Sequence, residues 1–176
     1  MYLKRWFFVL AVVVFSLSAK AQTLLNEGFE TSTFPPSSWV RINAGQGLDW
    51  QRTTGTTYNN SAGAATVGAS TDEENTWLIS PAVNLTAGTT YDVSLYYRAG
   101  SNGFDDASFQ VYVGGGQTVS AQQSGNLLGS RSTSATGWTQ LNESFTPTAT
   151  GSYDFSVRCN SSDLQSRALF IDDILV

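Results

Sequence analysis

The chain has 176 residues with nine basic and 14 acidic side chains and no histidine, which gives a formal charge of -5 and a pI near 4.5. The missing histidines remove His-dependent triads, Cys-His pairs and imidazole-bound zinc, and the acidic balance argues against a nucleic-acid partner or an anionic membrane surface. With 41% hydrophobic and 13% charged residues, the composition is that of a chain able to bury a core rather than a disordered one.

Lys4 and Arg5 precede an apolar run from Trp6 to Leu17, followed by Ser18-Ala19-Lys20-Ala21. This pattern of charged, apolar and small-x-small segments predicts a signal-peptide helix over 1–21 with cleavage after Ala21, and the run is short for a bilayer span. Export to the cell exterior or surface follows, with no membrane insertion after cleavage. Without its leader the chain keeps six arginines, no lysine and all 14 acidic residues, so a Schiff-base or general-base lysine is excluded. A single domain is expected over 22–176.

The mature chain opens on Asn26-Glu27-Gly28-Phe29-Glu30, and Trp39 follows the loop Phe34-Pro35-Pro36-Ser37-Ser38, where it is expected to pack the loop against a sheet edge. Trp50 stands in Leu48-Asp49-Trp50-Gln51-Arg52, and Tyr58-Asn59-Asn60 in a polar loop with little nearby to bury the ring. Exposed Tyr and Trp faces with amides beside them suit sugar stacking, although core packing produces the same composition. Asp72-Glu73-Glu74-Asn75 is an acidic loop, as is Asp105-Asp106. In Thr76-Trp77-Leu78-Ile79, Trp77 and Ile79 share a strand face and are expected in the core.

Period-two alternation then predicts strands over 89–98, with Tyr91, Val93, Leu95 and Tyr97 on one face, and over 107–113, 138–145, 151–159 and 168–176. Between them, Gly100 to Gly103, Gly114 to Gly116 and Ser130 to Gly137 read as turns. Trp138 opens one strand. No window carries a helical apolar period. About ten short strands with polar loops predict an all-β fold, an antiparallel two-sheet β-sandwich of jelly-roll type.

Cys159 is the only cysteine, so no internal disulfide forms; it shares a strand face with Tyr153, Phe155 and Val157 and reads as a buried, inert thiol. Asn-x-Ser/Thr occurs at Asn59, Asn84, Asn142 and Asn160, as a Ser/Thr-rich composition readily produces.

Asp172 and Asp173 interrupt an otherwise apolar final strand, where an ionised carboxylate is costly unless compensated. Calcium needs only oxygen ligands and suits a chain without histidine. If the first and last strands pair, Glu30 meets Asp172 and a structural Ca2+ pins the chain ends. The competing arrangement has one Asp facing solvent while the other caps a loop or pairs with Arg158 or Arg167. The acidic loops are open to a further ion. A polysaccharide hydrolase would need two carboxyls across a cleft, and no spacing here specifies them.

Asn26 to Glu30, Phe34 to Trp39, Asp49-Trp50, Asn60 to Ala65, Thr76-Trp77-Leu78-Ile79-Ser80-Pro81-Ala82-Val83-Asn84-Leu85 and Phe170-Ile171-Asp172-Asp173-Ile174 together resemble the cleaved-adhesin or choice-of-anchor J domains of secreted Bacteroidetes proteins. That family is similar to MAM-like and calcium-containing carbohydrate-binding jelly rolls. The resemblance implies a non-catalytic adhesive module with structural calcium. Its metal ligands fall on Glu30, Asp172 and Asp173, and on Glu74 or Asn75 before the Trp-Leu strand. The family usually carries a further C-terminal anchoring domain, and this sequence stops at Val176. The expected ligand is a glycan or a host or cell-surface protein, met by Trp50, Tyr58, Asn59, Asn60 and Trp138; an accessory domain with no ligand of its own is the alternative.

Overall fold

The computed structural model describes residues 22–162 and 165–176; the expected leader over 1–21 lies outside them. The short strands β1 (Asn26–Glu27), β2 (Val40–Asn43), β3 (Gln51–Thr53), β4 (Ala64–Val67), β5 (Thr76–Ile79) and β6 (Val83–Leu85) come first. The longer β7 (Tyr91–Ala99), β8 (Ala107–Gly114), β9 (Asn126–Thr133), β10 (Thr139–Phe145), β11 (Gly151–Cys159) and β12 (Leu169–Leu175) follow. One sheet runs β10-β7-β12-β4-β3, with β1 also pairing β12; the other runs β2-β5-β11-β8-β9, with β6 also pairing β11. Every named strand pair is antiparallel. The chain is therefore an all-β two-sheet sandwich.

Alternation explains the packing. Val93 and Leu95 of β7, Leu169 and Ile171 of β12, Phe109, Val111 and Val113 of β8, and Phe155, Val157 and Cys159 of β11 all enter one inter-sheet core. Burying each of the larger side chains contributes about 1.5–3 kcal/mol. Tyr91 and Tyr97 pack partly against the core, in phase with Val93 and Leu95. Trp39 joins it and meets the Phe29 ring edge-on at 6.1 Å.

Two elements depart from expectation. The segment Ser130–Thr133, read as a turn, belongs to β9, whose place at a sheet edge asks for ladder hydrogen bonds to β8 rather than for large inward side chains. A five-residue helix, α1 (Val119–Gln123), sits between β8 and β9; the Thr118 hydroxyl caps it by accepting from the Ala121 N–H. It is too short for a periodic signal and is held by its tertiary contacts. Buried Gln122 donates to the carbonyls of Gly116 and Asp154 and accepts from the Ser156 hydroxyl.

Candidate functional site

The first and last strands pair, with Asn26 opposite Leu175 and Glu27 opposite Ile174. Asp172 is fully buried and ties the loop above it: Oδ2 accepts from the Tyr58 N–H and the Ser61 hydroxyl, each at 2.9 Å, and Oδ1 accepts from the Asp173 N–H. Glu30 Oε2 accepts from the Ala62 N–H at 2.7 Å. Loop capping, rather than an ion pair with Arg158 or Arg167, is thus the protein's own compensation for Asp172. Burial still raises its pKa, against the lowering effect of these hydrogen bonds.

Beside it the carboxylates are less well served. An added Cβ on Gly28 would lie 3.1 Å from Asp173 Oδ1 and 3.3 Å from Glu30 Oε1, so the two oxygens flank one small space. Burial raises the pKa values of Asp173 and Glu27 and the Glu30 charge adds to both, while the Phe29 N–H eases the shift at Glu27. Arg52, beside the seam, is spent on backbone: its Nε donates to the Phe29 carbonyl and its Nη2 to those of Glu30 and Ala62. This all-oxygen, acid-rich seam suits a hard cation, although among the described residues no three His, Cys, Asp or Glu side chains form a metal cage by themselves. Backbone carbonyls and water would have to complete a calcium shell.

Glu74 does not belong to this seam. Its Oε1 accepts from the Leu48 N–H at 3.1 Å, its Oε2 is buried without a hydrogen-bond partner, and it precedes β5 in the opposite sheet. Burial raises its pKa; the Leu48 N–H and the nearby Ser70 hydroxyl ease the shift, and Asp72 and Asp49 add to it.

Among the ligand residues expected from the sequence, Trp50 requires correction. It is fully buried and its indole N–H donates to the Thr76 carbonyl at 3.1 Å, so it presents no face to a ligand. Tyr58 and Trp138 do come together, with ring centroids 5.9 Å apart and planes at 73°. Tyr96, which alternation leaves on the outer side of β7, stacks on Tyr58 at 3.6 Å and 14°. Asn59 and Asn60 lie exposed on the same loop.

The outer face of the second sheet carries a group that reading for inward faces passes over. Trp77 and Arg158 are register partners on β5 and β11, and Arg158 pairs onward with Gln110 of β8. The guanidinium carbon lies 5.5 Å from the Trp77 ring. Its Nε donates to Asn75 Oδ1 at 2.8 Å and its Nη1 to Gln110 Oε1 at 3.1 Å. The Trp77 indole N–H also donates to Asn75 Oδ1, and the Tyr112 hydroxyl to Gln110 Oε1. Tyr112 and Trp77 lie 5.3 Å apart. Trp77 is fully buried, as expected, yet beneath Arg158 on the outer side of its strand, whereas Leu78 fills the inter-sheet core. Asn75 also borders a depression of about 510 Å³ lined by Ala44, Gly45, Gln46, Thr71, Asp72 and Glu73. Off-phase bulky residues, Gln110 and Tyr112 against Phe109, Val111 and Val113, are the sequence signal that marks this face.

The profile of a family described as carbohydrate binding domain matches residues 21–163. A sequence search of curated proteins finds no match. Among solved structures, the K1 cleaved adhesin domain of Lys-gingipain from Porphyromonas gingivalis W83 superposes with a TM-score of 0.67 at 19% identity, over 88% of this chain and 97% of that one. The K3 cleaved adhesin domain of the same protein gives 0.63 at 19%, over 88% and 98%. The CBM22-1 xylan-binding domain of Paenibacillus barcinonensis Xyn10C gives 0.56 at 14%, over 90% and 96%.

Proposed function

Because the chain belongs to the carbohydrate-binding domain family, we propose that it is an exported, non-catalytic glycan-binding module whose ligand lies across the outer face formed by β5, β11 and β8. The observation that carries this reading is the fixing of Arg158 by two amide oxygens above Trp77 and beside Tyr112. Sugars are recognised by apolar ring faces packed on aromatics and by hydroxyls meeting side chains whose positions are already set, because pre-ordering lowers the entropy cost of binding. Here Tyr112 supplies the ring and Arg158, Gln110 and Asn75 supply donors and acceptors. The depression beyond Asn75 gives a chain of sugars room to continue. The reading assigns the module no reaction.

A structural calcium ion at the seam completes the proposal. Glu30 and Asp173 would hold it, with Asp172 and Glu27 beside them, and its charge would offset the carboxylates gathered where the chain ends meet. A second ion at Glu74 would be a separate site. The test of the glycan reading is a printed array of plant, bacterial and host glycans probed with the wild-type domain, Tyr112→Ala and Arg158→Ala. Binding that falls about tenfold or more in both variants supports it, at about 1.4 kcal/mol per factor of ten; undiminished binding in both removes this face from the account.

A further inference from the structure

The outer face of the other sheet is built just as deliberately and looks the opposite way. Register places Arg98, Phe170, Thr66 and Gln51 in one row across β7, β12, β4 and β3. Gln140, Tyr96 and Asp172 form the next row. Their strand neighbours Leu95, Leu169 and Ile171 are in the core, so these side chains project outward. Tyr58, Tyr96 and Trp138 make an aromatic corner at one end of the rows. The Arg98 guanidinium carbon lies 5.9 Å from the Trp138 ring and 5.9 Å from that of Phe170.

Two features separate this corner from ordinary surface packing. Among the described residues Arg98 makes no ion pair and a single hydrogen bond, from Nε to the Ala99 carbonyl, whereas Arg41 and Arg131 pair with Asp49 and Glu143, and Arg52 and Arg158, likewise without an ion pair, are held by three carbonyls and by two amide oxygens. The loop carrying Tyr58 is also held in a costly shape. Asn59 and Asn60 both have left-handed backbone, φ 49° and 58°, and the buried Asp172 together with the exposed Glu30 pins the segment through Tyr58, Ser61 and Ala62. Such conformations persist where the surroundings over-determine them, often at ligand clamps.

Resting on the proposed glycan-binding function, we infer that Tyr58, Tyr96, Trp138 and Arg98 form a second glycan site, so that the domain is bivalent and cross-links two sugar chains. The chemistry is that of a saccharide: ring faces for stacking, a guanidinium free to meet hydroxyls or a carboxylate, and a polar rim of Asn59, Asn60, Gln140, Thr66 and Gln51. The two outer faces have both sheets between them, a layer spacing of about 10 Å before side chains are added. A single glycan lying along one face does not reach the other.

The test is a sandwich capture. Wild-type domain bound to a printed glycan array is offered fluorescein-labelled xylohexaose together with labelled copies of every glycan that scored. The inference predicts capture of a labelled glycan by array-bound protein and loss of that capture, by about tenfold or more, in Tyr58→Ala/Trp138→Ala, with first-layer binding retained and thermal unfolding showing the variant folded. Arg98→Ala, which leaves the loop's hydrogen bonds in place, should weaken capture in the same direction. Array binding without capture, or capture that survives both variants, overturns bivalency and leaves the first face standing. Failure of the wild type to bind any printed glycan overturns both proposals. Binding that follows Tyr58 and Trp138 but ignores Tyr112 and Arg158 leaves one site, on the face opposite to that of the proposed function.

Discussion

Replacing Asp172 with alanine perturbs the seam at its most buried point. The substitution strands three donors, the N–H groups of Tyr58 and Asp173 and the Ser61 hydroxyl. Each donor left unmet costs roughly 1–3 kcal/mol when buried, and these three residues are only half-buried, so about 1 kcal/mol each is the appropriate figure. Removing a carboxylate whose charged form burial disfavours returns part of that. The net loss expected is about 2–3 kcal/mol, and at about 2–4 °C per kcal/mol for a domain of this size the melting temperature should fall by roughly 5–10 °C. Scanning calorimetry in EDTA measures it without interference from bound cation, and near-UV circular dichroism follows the Tyr58–Tyr96 stack. Asp172→Asn keeps an acceptor for the Asp173 N–H while turning an amide NH2 toward Tyr58 and Ser61, and should fall between wild type and alanine. A loss below about 0.5 kcal/mol in Asp172→Ala, the range of ordinary surface substitutions, would mean that the loop is held by something else.

In EDTA, stability should rise as pH falls from neutrality toward the ordinary carboxylate range. Glu27, Glu74, Asp154, Asp172 and Asp173 all have pKa values raised in the fold, chiefly by burial. The native state therefore binds protons over a window, between the ordinary and the raised values, where the unfolded chain does not; urea midpoints that drop steadily across that range would contradict this. Added calcium should raise the melting temperature and flatten this pH dependence, an effect that Asp173→Asn should diminish; an equal shift in the variant would place the ion elsewhere. Trp50→Phe should cost about 2 kcal/mol, through the lost volume and the orphaned Thr76 carbonyl, while leaving array binding unchanged. The Cys159 thiol, pushed up to about 12 by burial, should resist iodoacetamide at pH 8 until the protein is unfolded, and rapid native-state labelling would show the thiol is not enclosed.

What the sequence reveals follows the length of its alternation. The strand expected over 151–159 is β11 residue for residue, and the final strand differs by one residue at each end. Long alternating runs state both the strand and its inward face. β9 and α1 lack that signal, since an edge strand and a single helical turn draw on partners supplied by β8 and β11. The same limit governs the site. The pairing of the first and last strands is legible from the sandwich class alone, and the two aspartates in an apolar strand mark only where charge must be compensated. Whether Tyr96 is a platform depends on Tyr58, 38 positions earlier, arriving above it, and Trp50 is buried through a bond to Thr76 across 26 positions. Tyr112 and Arg158 were visible only as bulky residues out of phase with their strands.

The account turns on a sugar chain resting against β5, β11 and β8, and backbone amide chemical-shift mapping of the isotope-labelled domain, titrated with the strongest array glycan, examines this most directly. The largest shifts should cluster at Asn75, Gln110, Tyr112 and Arg158, with a second cluster at Tyr58, Tyr96 and Trp138. Saturable shifts confined to the loops at the sandwich ends, with both clusters silent, would contradict it.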